Sequence, residues 1–405
     1  MNQKTTYYIS FFALLYALVC LTFALFLPAT FQTRLDNILF PIGLIHLVQV
    51  FVLNKKYRFF IGAFFLLFTW FLLAEIIAKR TLSFTSFNYI VYLLKWPVII
   101  FSIIDNPFVP RTKERIYHII DGVFLALVAI NLFILINPNG LGESWQLLYS
   151  PKIEANFVYF NEHGTFRLVG TCMDPNNNGA IFGSFFLFYF FIRKKEAWMF
   201  ALLAAFLILM TQSRTVFIGV LIICCVWLIY FLIQNKNFKK YLAIIVVGCV
   251  LISGIVLFSS NLLSLFDGKA FLSYSFLRRF DNLIYFFDLN QLNQIVGLGV
   301  VSDPKGQHGF YFDSEFIAVL FQFGLIGLIL WIFLGGYLIL FFKMFNERSQ
   351  FLAKYTFFII IVSFTNFTLL NSQFGVVISS FIGVCLLIEE KYRNTTAKKN
   401  PIEQA

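Results

Sequence analysis

The sequence predicts an all-α polytopic membrane protein of about twelve transmembrane helices, with both termini cytoplasmic and two long extracytoplasmic loops. Three observations predict it. The first is composition. Of 405 residues, 60% are hydrophobic, 20% are aromatic (56 are Phe) and only 13% are charged, with a mean hydropathy of +0.81. Soluble domains are about a quarter charged and under half apolar, and a water-soluble fold of this size has no interior large enough for such a load. The second is the recurrence of apolar runs near the length of about 20 residues that spans a bilayer. The third is the placement of the basic residues. A soluble enzyme, a nucleic-acid-binding domain and a disordered chain are all excluded.

The spans read, in order, 7–27, 37–53, 59–78, 88–104, 119–137, 177–192, 197–212, 215–233, 241–258, 315–342, 355–371 and 372–388, a single transmembrane domain over 1–405. The first run is too long for a cleaved signal peptide and no small-residue cleavage site follows it. The span 315–342 is longer than a bilayer needs, so it is expected to tilt or to kink near Gly335-Gly336. Placing the N-terminus inside and alternating sides puts 20 of the 31 Lys and Arg residues on the cytoplasmic face. Each internal connection holds three, as Lys55, Lys56 and Arg58 illustrate. Basic residues concentrate on cytoplasmic loops, so the net charge of +11 reports topology, and no nucleic acid is required to explain it. The outer loops 138–176 and 259–314 are the long ones. Five of the six cysteines lie in apolar runs as small hydrophobes; Cys172 alone lies in a polar loop, so no disulfide framework is expected.

Chemistry in such a chain belongs to the outer face, where several arginines stand against the positive-inside bias. Arg167 precedes Asp174-Pro175-Asn176, Arg214 follows Ser213 in a turn between spans, and Arg278 and Arg279 lie in the second long loop. Singly, each reads as an interfacial arginine. Several on one face suggest a phosphate or polyanion site, because the guanidinium fork matches phosphate oxygens at two points. Asp174-Pro175 reads as a helix start, with Asp as cap and Pro in the first position; a helix N-terminus also favours an anion. Residues 276–288 form an amphipathic pattern, with Leu277, Phe280, Leu283, Ile284 and Phe287 on one face and Arg278, Asp281 and Asp288 on another. Such a helix lies along the membrane interface.

Gly297-Leu298-Gly299 lacks the strand–helix context of a nucleotide fingerprint. Beyond it come His308, Asp313, Ser314 and Glu315. Histidine as a residue type titrates near neutral pH, which makes His308 a candidate general base, with Asp313 and Glu315 behind it; from local sequence alone the two carboxylates read first as caps of the tenth span. His46 falls in a span, His118 on the cytoplasmic side and His163 in the first long loop. Two further charges sit within spans, Glu75 near the outer end of the third and Lys95 about 10 Å into the fourth. A Glu75–Lys95 ion pair between adjacent helices is the expected reading, with a role in a substrate cleft as the alternative.

The order of these pieces resembles the O-antigen ligase/polymerase superfamily and, within it, the Wzy-type polysaccharide polymerases. Arg167-Leu168-Val169-Gly170 with Pro175-Asn176 resembles the family's arginine–glycine–proline–asparagine segment. Thr211-Gln212-Ser213-Arg214 resembles its serine–arginine turn. Arg279 followed by Gly297-Leu298-Gly299 resembles the large-loop arginine and glycine pair, with Arg278 an alternative in that place. His308, Asp313-Ser314-Glu315-Phe316, Leu320, Gly324 and Gly327 resemble the entry into the next span. The match covers roughly residues 160–340; the first five spans carry no motif of the family. Where ligases have an asparagine after the histidine, this chain has Gly309-Phe310-Tyr311.

The resemblance implies a multi-pass protein of the bacterial cytoplasmic (inner) membrane. It implies an inverting, metal-independent glycosyl transfer outside that membrane, with no cofactor. The substrates are undecaprenyl-diphosphate-linked glycans, the diphosphate held by Arg167, Arg214 and Arg278 or Arg279, the acceptor deprotonated by His308, Asp313 or Glu315, and the polyprenyl tail held in an apolar groove. Membrane lipid, a chain-length regulator and a flippase are the implied partners. The alternatives are a ligase moving the finished glycan to a lipid or protein acceptor and, from a different class, a polysaccharide flippase or other transporter. A transporter is expected to carry charges deep in its bundle or internal repeat symmetry; this chain gathers its polar residues in two outer loops.

Overall fold

A computed structural model describes residues 3–26, 29–104, 106–110, 112–141, 168, 170, 174–193, 197–234, 274–300, 314–345, 350–363 and 372–397. Thirteen α-helices run through the described residues: α1 Gln3–Phe26, α2 Ala29–Leu53, α3 Arg58–Lys79, α4 Phe84–Ile104, α5 Lys113–Ile136, α6 Pro175–Phe188, α7 Trp198–Thr211, α8 Arg214–Gln234, α9 Tyr274–Asp288, α10 Gln291–Val296, α11 Glu315–Phe345, α12 Gln350–Ser363 and α13 Ser372–Ala397. Five stretches are long and apolar enough to cross a membrane: Thr5–Phe26, Arg58–Lys79, Phe84–Ile104, Lys113–Ile136 and Glu315–Leu340. Shorter apolar helices stand at Leu39–Leu53, Trp198–Thr211, Thr215–Leu228, Phe351–Ser363 and Gly375–Ile388. Eleven of the twelve expected spans overlap helix among the described residues, 355–371 only as far as Ser363; 241–258 and 364–371 lie outside the described residues, as do most of 138–176 and the segments 259–273 and 301–313.

Aromatic packing organises the interior. Phe124 on α5 meets Phe185 of α6 and Tyr189, which opens the π-helical turn after α6, with ring centroids 5.0 and 5.1 Å apart, and Phe381 of α13 closes on Phe185 at 4.9 Å. Edge and tilted contacts of this kind add to burial because the ring edge is positive and the face negative. Phe71 of α3 stacks on Phe323 of α11 at 3.6 Å. Tyr355 of α12 donates to Ser184 Oγ of α6 at 2.9 Å, a polar link between two helices that otherwise meet through phenylalanine.

The long span breaks at Gly324, with φ 69° and ψ −172°, and not at Gly335-Gly336. That backbone region is essentially closed to side chains, and a Cβ at 324 would run into the backbone of Ile295 and Val296. The break frees carbonyls that a continuous helix would bond to N–H groups four residues on, and each finds a donor from elsewhere. Phe321 O accepts Leu298 N at 2.7 Å, Gln322 O accepts Gly299 N at 3.0 Å, and Phe323 O accepts the Trp70 indole at 3.1 Å. Buried backbone groups must be paired, in lipid above all, so the kink and the incoming segment 298–299 depend on each other.

α9, Tyr274–Asp288, covers the amphipathic stretch 276–288. Phe286 is buried against Phe321, centroids 5.4 Å apart, whereas Ile284 and Phe287 are 62% and 66% exposed. The apolar residues encircle more of the helix than one stripe, and α11 takes the side bearing Asn282 and Phe286.

Candidate functional site

Two helix starts meet at one end of the bundle. At the first, Asp174 caps α6: its carboxylate accepts the N–H groups of Asn176 at 2.7 Å and Asn177 at 3.0 Å, with Pro175 in the first turn where no N–H is needed. At the second, α7 ends with Gln212 in the left-handed conformation, φ 51°, and α8 opens at Arg214 one residue later. Thr211 Oγ1 donates to Ile208 O at 2.7 Å and accepts Ser213 N at 3.3 Å, which fixes this tight reversal. Gly179 lets the two approach: a Cβ there would lie 2.7 Å from Thr211 Oγ1 and 3.1 Å from Ser213 Cβ. Ser213 is 2% exposed, and its hydroxyl has no hydrogen-bond partner among the described residues.

The segment that follows Arg167 comes to the same place. Leu168 N donates to Met210 O at 3.0 Å, beside the turn that holds Arg214. Arg167 itself lies outside the described residues, but its chain neighbour is tied to the serine–arginine turn. Two positive helix ends and two arginine-bearing segments therefore share one corner. Helix N-termini present free N–H groups and about half a positive charge each, a setting that favours an anion.

A second polar cluster lies at the same end. Antiparallel packing carries α12 past α6 and α8, so its last residue, Ser363, reaches the end where α6 and α8 begin. Ser314 Oγ, just before α11, donates to Ser363 O at 3.4 Å. Glu315 opens α11 fully buried and lies within Coulombic reach of Tyr89, whose hydroxyl also meets the Gln322 side chain. Glu75 of α3 is fully buried too. Its partner is Lys79, one turn on at 3.3 Å, and not Lys95 as expected. The Glu75 carboxylate accepts Val300 N, and the Lys79 ammonium donates to Val300 O. Lys95 is buried as well and has partners of its own.

Both ends of the segment 301–313 are thus fixed, Val300 by the Glu75–Lys79 pair and Ser314 by α12. His308 and Asp313 belong to that segment, outside the described residues. Arg278 and Arg279 lie within α9, which reaches α11 through Phe286. Of the other histidines, His46 is buried with Nε2 3.4 Å from Phe101 O, and His118 is on the exposed side of α5. Residues that the sequence did not single out are Trp70, Asn131 and Gln322, each a polar group within an apolar run, and that rarity is the signal that finds them; Asn178 belongs to the asparagine-rich start of α6, Pro175-Asn176-Asn177-Asn178.

An apolar cavity of about 180 Å³ opens between α4, α11, α12 and α13, lined by Trp96, Phe316, Trp331, Ile332, Ile359 and Ser363. Phe316 and Ser363 put one margin of it beside Glu315. The hydroxyl of Ser363 is turned into its own helix, donating to Ile359 O at 2.8 Å, so this lining residue presents no free donor.

A family model described as O-antigen ligase matches residues 180–332, from the first turns of α6 to the middle of α11. No curated protein matches the chain. The matched stretch contains the Ser213-Arg214 turn, both arginines of α9, the Gly297–Gly299 segment and the Gly324 kink. That family covers O-antigen ligases and related polymerases, enzymes that act on lipid-linked glycans. The apolar helices of spanning length fit a multi-pass membrane protein, and over residues 180–332 the chain is similar to the O-antigen ligase family.

Proposed function

We propose that the chain polymerises undecaprenyl-diphosphate-linked oligosaccharide repeat units at the outer face of the bacterial cytoplasmic membrane. The observation that carries this reading is the corner where α6 and α8 begin together with Leu168. In this reading the donor diphosphate sits there, facing Arg167, Arg214 and Arg279, with Arg278 beside them. A hydroxyl of the acceptor sugar attacks the anomeric carbon of the donor from the face opposite the diphosphate. The new carbon–oxygen bond forms, the bond to the diphosphate oxygen breaks, and the configuration inverts. His308, Asp313 or Glu315 takes the acceptor proton. The arginines and helix ends neutralise the charge that develops on the leaving diphosphate, and preorganised donors of that kind are effective in a site shielded from water. A segment of the polyprenyl tail lies against the apolar cavity beside Glu315.

The match to a family described as O-antigen ligase favours a second reading in which the finished glycan is moved to a lipid or protein acceptor. The glycan ladder of a deletion strain separates them. Single repeat units on the final acceptor support the polymerase; free lipid-linked polymer with none attached supports the ligase. An unchanged ladder contradicts both.

A further inference from the structure

We infer that Asn131 and Asn178 are positioning residues for Arg167, an inference that rests on the diphosphate site proposed above. Both amides are buried within the bundle. Asn131 Nδ2 donates to Leu127 O of its own helix at 2.9 Å, which orients the amide and turns Oδ1 outward from α5. Asn178 Nδ2, on α6, donates to that Oδ1 at 2.8 Å and to Leu168 O at 3.3 Å. The amides thus connect α5, α6 and the segment leaving the long loop.

Leu168 is held at both of its peptide groups. Its carbonyl takes Asn178, and its N–H, part of the peptide it shares with Arg167, donates to Met210 O. The two neighbouring peptide planes are fixed, one by α6 and one by the end of α7. Gly170 completes the brace. Its φ is +58°, and a Cβ there would stand 2.6 Å from both Asn131 Oδ1 and the Asn178 amide, so the backbone lies directly on the pair. These contacts hold Leu168, the residue that follows Arg167 in the chain.

A purely stabilising role accounts for the pair less well. In lipid, interhelical side-chain hydrogen bonds add little net stability, because the alternative state also finds partners. A satisfied polar network does select a single geometry. An arginine that must meet a diphosphate with its fork has such a geometric requirement.

The test measures donor-dependent turnover in proteoliposomes with purified lipid-linked repeat units, for Asn178→Asp, Gly170→Ala and Arg167→Ala, singly and combined. Asn178→Asp keeps the side-chain size and removes both donated bonds. A lowering of kcat/KM by about tenfold is expected, the equivalent of one lost hydrogen bond. Combined with Arg167→Ala it is expected to lower turnover no further, because residues that act through a common partner are not additive. Gly170→Ala is expected to behave in the same way. Melting temperature is recorded for every variant; where Asn178→Asp does not fold, Asn131→Leu, which removes the acceptor from another helix, takes its place. Full multiplication of the single losses in the double variant, or wild-type turnover in Asn178→Asp, overturns the inference while leaving the diphosphate site standing. Wild-type turnover in Arg167→Ala overturns the role of Arg167 at that site, and the inference with it.

Discussion

Glu75 is the residue whose removal the structure makes most informative. Its carboxylate, fully buried, accepts the N–H of Val300 and pairs with Lys79 at 3.3 Å. Glu75→Ala leaves that N–H without its acceptor, which costs about 1–3 kcal/mol, and opens a small cavity in α3 that adds to the loss. The ion pair adds little, about 0–1 kcal/mol, because the Lys79 side chain is 35% exposed and solvent screens it. The sum is about 2–4 kcal/mol. Glu75→Gln keeps an oxygen for Val300 and gives up only the charge, a loss of about 1 kcal/mol or less. Thermal melting of the purified protein in detergent is expected to rank wild type first, Gln close behind and Ala well below. A Glu75→Ala protein that melts with wild type, or a Gln variant less stable than Ala, would refute the reasoning.

Two further predictions follow from the backbone and the charge pattern. Gly324→Ala forces a side chain into a region closed to it and against Ile295 and Val296. It is expected to cost about 2–5 kcal/mol from strain and overpacking, read as reduced protein yield and melting temperature; an unaltered melting curve contradicts the kink. For orientation, cysteines at Ser150 and Ser302 are expected to react with an impermeant thiol reagent from the outer face, and Ser349→Cys to be protected; the reverse pattern inverts the topology.

Much of the fold is legible in the sequence, because apolar runs of spanning length have few other uses. The start of α6 is legible for a local reason: Asp174 bonds N–H groups two and three residues away. The break at Gly324 is not. Gly335-Gly336 is the weaker stretch by composition, but Gly324 is where Leu298, Gly299 and Trp70 supply donors to freed carbonyls, and two of those come from beyond the helix by way of a loop. Glu75 shows a different failure. Its partner Lys79 is at the i,i+4 spacing that pairs charges on one helix face, so the signal is present beside the more distant Lys95. The exposed Ile284 and Phe287 show that an amphipathic pattern identifies a helix without choosing which side packs on protein. For the candidate site, the charge pattern puts Arg167 and Arg214 on one face without bringing them together; Leu168 bonded to Met210 is a contact between segments about forty residues apart, and no local pattern encodes it.

The central proposal is that Arg167, Arg214 and Arg279 hold the donor diphosphate at the corner where α6 and α8 begin. It is tested most directly by polymerisation of purified lipid-linked repeat units in proteoliposomes containing Arg167→Ala, Arg214→Ala or Arg279→Ala protein. Loss of a preorganised charge partner to the leaving group is expected to lower the rate on the order of 100-fold or more at each position. Lysine is expected to restore little, because a point charge does not reproduce the guanidinium fork. Ladders of normal length and rate from all three alanine variants, at normal protein levels, would contradict the claim.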